Sequence, residues 1–109
     1  MAHKENKELL KTLHACIAAC NHCATACLDE EDVKMLSKCI KQDIDCAEMC
    51  GLTAAYVARG SEFSKKILNL CAEICDTCAD ECEKHTNMEH CQECAKACRA
   101  CAKACREAA

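Results

Sequence analysis

The sequence contains no proline and no tryptophan, two glycines, one tyrosine and one phenylalanine. Without proline, and with so little glycine, almost nothing in the chain breaks a helix. The near-absence of aromatic rings removes the stacking platforms on which single-stranded nucleic acids are held. No basic cluster replaces them: the formal net charge is −4, with both signs interspersed. No apolar run approaches the roughly 20 residues that span a bilayer. The segment from Met1 to Lys11 is polar and charged, with neither the apolar stretch of a secretory leader nor a twin-arginine pair. The expectation is a cytosolic protein, in a compartment that keeps thiols reduced, with no nucleic-acid and no membrane partner.

Large apolar side chains are also scarce. Val, Ile, Leu, Met, Phe and Tyr together number 21 of 109 residues, and another 19 are Ala. A core made of these alone is thin for a chain of this size. Cysteine supplies the remainder, because a buried thiol behaves as a small hydrophobe, and there are 16 of them.

The cysteines recur at steps of three and four. Cys16, Cys20, Cys23 and Cys27 form one series, and Cys71, Cys75, Cys78 and Cys82 repeat its spacing. Cys91, Cys94, Cys98, Cys101 and Cys105 form a third, and Cys39, Cys46 and Cys50 a fourth with one member missing. On an α-helix such spacing keeps every side chain on one stripe. It is the pattern that places leucine in the seam of a helical bundle. The sequence predicts a single all-α domain over residues 1–109, an antiparallel up-down-up-down four-helix bundle with a cysteine-lined core. Its helices are expected at about 4–28, 33–59, 62–84 and 87–107. Gly60 is the expected left-handed stop and Ser61 the following N-cap, while Thr86-Asn87-Met88-Glu89 fits a capping box.

Extending the stripes gives the tube two different ends. Leu9, Leu13, Thr53, Tyr56, Val57 and Ile67, with Phe63 and Leu70 beside the stripe, are expected to close one end with ordinary apolar packing. At the other end the stripes run on into Met35, four before Cys39, and His85, three after Cys82, with Met88 and His90 in the adjoining turn. These four are candidate metal ligands at a mouth. His14 and His22 face away from the seam, and Met49 is read as packing. Asp43 fills the gap in the second stripe, either as a candidate metal ligand, a carboxylate helping to bind metal or accepting thiol hydrogen bonds, or as a solvated residue on a slightly rotated helix. The acidic run from Asp29 to Asp32 is read first as helix N-terminal charge.

A cytosolic chain does not keep eight disulfides, and i,i+4 neighbours stand too far apart for one. The Cys-x-x-Cys pairs lie inside helices, away from the strand–helix setting of a redox pair, and a ferredoxin run ending in Cys-Pro is excluded without proline. Metal storage fits better. Thiolates select Cu(I), Zn or iron–sulfur species. Sixteen thiolates filled as four Zn(Cys)4 sites would carry about −8 inside a narrow bundle, and buried uncompensated charge is costly. A monovalent ion that replaces each thiol proton leaves the core neutral at any loading, which favours many Cu(I) ions bound by the sixteen cysteines. A zinc-taking thiolate buffer, a dithiol–disulfide redox protein and a bundle with cysteine as mere filler are the rivals. No catalytic constellation is present, so no enzymatic activity is expected.

The segments from Cys16 to Cys27, Cys71 to Cys82 and Cys91 to Cys105 resemble the cytosolic copper storage proteins, cysteine-lined four-helix bundles that hold many Cu(I) ions. The likeness runs from Leu13 to Ala109. It implies a cytosolic homotetramer of bundles, loaded through a mouth that bears His or Met, with His85 and His90 matching that mouth. Leu13 and Leu9 depart from the pattern, since members often carry cysteine further upstream on the first helix.

Overall fold

The computed structural model describes residues 3–109, with side chains from residue 6 onward. Met1 and Ala2, part of the expected 1–109 domain, lie outside the described residues. Helix α1 spans His3–Leu28, α2 Ser37–Ala58, α3 Ser64–Glu83 and α4 Glu89–Ala108. Each packs on its neighbours in chain order, and α1 against α4 closes the square. The result is a rod of 45 × 18 × 18 Å.

Buried alanines set the spacing of the helices. Ala47, Ala54, Ala72, Ala79, Ala95 and Ala102 sit beside the cysteine stripes in the packed interior. Small residues let the backbones approach until thiols from different helices touch. On the outside, Arg99 of α4 reaches Asp76 at 2.9 Å, Asp80 at 2.6 Å and Glu83 at 2.8 Å on α3. These exposed pairs align two helices and add little stability.

The connections depart from expectation in three places. Val33–Leu36 is a 3-10 turn, capped by Asp32, whose side chain accepts from the Met35 amide at 3.4 Å. Gly60 does adopt a positive φ of 66°, and the amide of Ser61 returns to Tyr56 O at 3.0 Å, the left-handed stop that only glycine enters freely. Ser61 then caps a turn instead of α3, its hydroxyl accepting from the Phe63 amide at 3.1 Å. The Thr86–Glu89 capping box does not form: α4 starts after Met88 without a side-chain cap. The 3–4 corner is held by Gln92 instead, whose Nε2 donates to Cys82 O at 3.3 Å and His85 O at 2.9 Å.

The closed end is built as expected in kind but not in every residue. Leu9, Leu13, Thr53 and Val57 are buried there, and Thr53 returns its hydroxyl proton to Met49 O at 2.8 Å. Leu68 supplies the α3 contribution, while Ile67 is only half-buried and Phe63 is 53% exposed. A step of three back from Cys71, not four, points into the bundle.

Candidate metal centre

All sixteen cysteines are buried free thiols. Their sulfurs form a ladder of two runs, joined where Cys94 and Cys82 both meet the Asp43 carboxyl. Near the closed end Cys50 Sγ lies 3.8 Å from Cys71, 3.7 Å from Cys75 and 3.8 Å from Cys101. The next level joins Cys46 to Cys75 at 3.6 Å and to Cys98 at 3.8 Å, with Cys16 also 3.8 Å from Cys98. Cys20 continues the path, 3.6 Å from Cys98 and 3.8 Å from Cys94. Toward the open end Cys39 meets Cys82 at 3.5 Å and Cys91 at 4.0 Å. Cys105 is buried below the first level, beside α3.

These separations suit a metal. Two metal–sulfur bonds of about 2.3 Å at about 120° place their sulfurs about 4 Å apart. Four ligand atoms converge within 4.8 Å of one another in each of several sets. Cys16, Cys46, Cys50 and Cys75 form one, Cys20, Cys78, Cys94 and Cys98 another. Cys50, Cys71, Cys75 and Cys101 share two members with the first. Shared thiols mean that neighbouring sites bridge. Burial favours the neutral thiol: it pushes Cys27 up to about 11 and raises Cys91 as well.

Asp43 occupies the gap in the α2 stripe and is fully buried. Its Oδ1 accepts from the thiols of Cys78 and Cys94 at 3.3 Å each and of Cys82 at 3.6 Å. Burial, reinforced by the Cys94 sulfur, pushes this carboxyl up to about 8. Of its two sequence readings, the one facing the thiols is the observed one.

The open end carries the two histidines, in unequal roles. His90 Nδ1 lies 3.6 Å from Cys23, 3.8 Å from Cys27 and 3.6 Å from Cys91, completing a mixed set with these thiols. His85 Nε2 is held by Glu81 at 3.0 Å, and its ring makes no hydrogen bond to a thiol among the described residues. Met88 is half-buried against the core cluster. Met35 corrects the expectation: it is 55% exposed, and Leu36 is buried in its place. The 3-10 turn has a tighter period than an α-helix, so a step of four from Cys39 no longer reaches the seam.

Two carboxylates were not singled out in the sequence. Glu81, nearly buried on α3, holds His85 and Lys84, at 3.0 and 3.4 Å. Glu30, in the turn after α1, lies 3.1 Å from His90 Nε2. Glu30 belongs to the acidic run, but no spacing rule pairs it with a residue sixty positions away.

A family profile described as "Copper storage protein" matches residues 2–109. The chain belongs to the copper storage protein family. A Cu(I)-bound copper storage protein, BsCsp3, shares 44% identity, with a TM-score of 0.89 over 94% of this chain and 96% of that one. A cytosolic copper storage protein from Streptomyces lividans, solved with five coppers, shares 41%, with a TM-score of 0.91 over 95% and 91%. The uncharacterized cysteine-rich protein YhjQ of Bacillus subtilis (strain 168) is 49% identical over 81 residues, 74% of each chain. The two solved copper storage proteins thus share this chain's fold at 41–44% identity.

Proposed function

We propose that this chain takes up Cu(I) as cargo and stores many ions along its thiol ladder. The observation that carries the reading is the run of thiol sets that share members, from Cys71 and Cys101 up to Cys78 and Cys94, with a further set of Cys23, Cys27 and Cys91 beside His90 at the mouth. Each ion displaces a thiol proton, so the interior stays neutral as it fills. Divalent zinc on the same thiolates leaves buried negative charge with nothing to offset it. Cys16, Cys20, Cys23, Cys27, Cys39, Cys46, Cys50, Cys71, Cys75, Cys78, Cys82, Cys91, Cys94, Cys98, Cys101 and Cys105 are the ligands. His90 joins them at the rim. His85 and Met88 line the mouth, and Met35 falls outside the ligand set. Asp43, a hard oxygen donor, serves as a hydrogen-bond acceptor for thiols awaiting metal instead of as a ligand.

The protein acts as a store and not as an enzyme, in the cytosol, where its thiols remain reduced. Among the described residues, no helix is long and apolar enough to cross a membrane. Assembly into a homotetramer is supported by the family resemblance, and the exposed Ile44, Leu52 and Leu70 on α2 and α3, 45–47% accessible in the isolated chain, leave apolar surface for a partner copy to cover. Anaerobic Cu(I) titration of the reduced protein against a competing chelator, with proton counting in weak buffer, tests the reading. The expected result is about one proton released per ion until most thiols are used. Release that stops after a few ions, or displacement of Cu(I) by zinc in direct competition, overturns it.

A further inference from the structure

His90 stands between a carboxylate and three thiols. Its Nε2 is 3.1 Å from Glu30 Oε2, while its Nδ1 faces the sulfurs of Cys23, Cys27 and Cys91 at 3.6–3.8 Å. The side chains of His90 and Glu30 are 15% and 37% exposed, so the pair straddles the rim of the tube. Glu30 arrives from the turn after α1 and His90 from the first turn of α4, so the contact also ties two helices together at the mouth.

A neutral imidazole has one N–H and one lone pair, and the group bonded to one nitrogen decides which is which. An ionised carboxylate only accepts, so Glu30 draws the N–H to Nε2. The lone pair is then left on Nδ1, the nitrogen that looks into the thiol set. We propose that Glu30 is a positioning residue that holds His90 in this tautomer and orientation, so that an arriving Cu(I) meets an open nitrogen lone pair together with three thiols. The proposal rests on the Cu(I)-storage reading. When the ion bonds to Nδ1, the ring loses electron density and its Nε2–H becomes a stronger donor. The carboxylate answers that change without moving, which raises the ligand's basicity. His85 has the same kind of partner in Glu81, but it makes no hydrogen bond to a thiol among the described residues. Among the described residues, only the Glu30–His90 pair couples a surface carboxylate to the ladder.

Long-range proton–nitrogen NMR of the nitrogen-labelled, reduced, metal-free protein at about pH 8, above the ordinary histidine range, reads the tautomer directly. The proton on Nε2 of His90 is the expected result, with Glu30→Ala shifting the ring toward a mixture. Glu30→Gln retains the Nε2–H form in part, because its amide oxygen can still accept. Stopped-flow transfer of Cu(I) from a chelator supplies the second readout. Glu30→Ala should slow capture of the first ion about 10-fold, the scale of losing a partner that orients a metal-binding histidine. Total copper held and helix content should stay unchanged. A proton on Nδ1 in the parent, or a Glu30→Ala variant with unchanged tautomer or unchanged capture, overturns the proposal. The expected tautomer, lost in Glu30→Ala, in a protein that takes up no Cu(I) would support the positioning role and overturn the storage reading.

Discussion

The carboxyl Oδ1 of Asp43 and the thiol of Cys94 meet at 3.3 Å in the interior of the ladder. Oδ1 takes three thiol donors in all, whereas Oδ2 is buried with no partner. A carboxylate in that position has lost its water, a loss that its thiol donors offset only in part. Its pKa rises from 3.8 to about 8 for that reason.

The sign of the resulting pH dependence follows. Asp43 binds its proton more tightly folded than unfolded, so its stabilising contribution is fully present below about pH 4 and fades as pH climbs toward about 8. Between about pH 5 and 8 the reduced metal-free protein should lose on the order of 2–4 kcal/mol, at about 1.4 kcal/mol per unit. Asp43→Asn should flatten that slope. Urea denaturation at both pH values measures it, and a parent protein as flat as the variant contradicts the assignment.

At the mouth, His90→Ala should slow the first phase of Cu(I) capture more than His85→Ala does, because only His90 faces thiols. The double variant should also release copper more slowly to a chelator while keeping most of its capacity. Equal effects of the two single variants would place the entry path elsewhere.

Leu13 is fully buried at the closed end. Leu13→Ala should cost roughly 2–5 kcal/mol by loss of buried hydrocarbon and the cavity left behind, with little change in the rate of Cu(I) entry. Denaturant midpoints and stopped-flow traces on the same variant check both halves. Faster entry would mean that the closed end is a door.

Met35→Ala should change neither the copper held nor the first-phase rate, since its side chain stands in solvent. A drop in capacity, read by Cu(I) titration, would return Met35 to the ligand set.

The seam was legible because its signal is periodic. Sixteen thiols at steps of three and four fix helix phase over nearly the whole chain, so the bundle and the closed end follow from register, while register left Asp43 open between the seam and a solvated edge and packing chose the seam. The reading failed where the period changed. Val33–Leu36 winds as a 3-10 turn, which carries Met35 outward and Leu36 inward. At the start of α3 the stripe was continued four back from Cys71 to Ile67, but packing chose Leu68, three back. Thr86-Asn87-Met88-Glu89 had the residues of a capping box, but Gln92 reached the free carbonyls of the corner instead. Glu30 and Glu81 were out of reach for another reason. A carboxylate acquires a role at the mouth only when the fold brings a histidine to it, and Glu30 meets His90 across two helix ends.

Leu13, Val57 and Leu68 make the ladder a cul-de-sac. Ions in a column with a single doorway cannot pass one another freely, so residence time grows with depth. With entry at the mouth as proposed, copper beside Cys71, Cys101 and Cys105 would sit behind everything held at Cys23, Cys27 and Cys91. One chain would then offer a quick-exchanging layer at the rim and a slow reserve at the floor, with the ratio between them set by how full the column is.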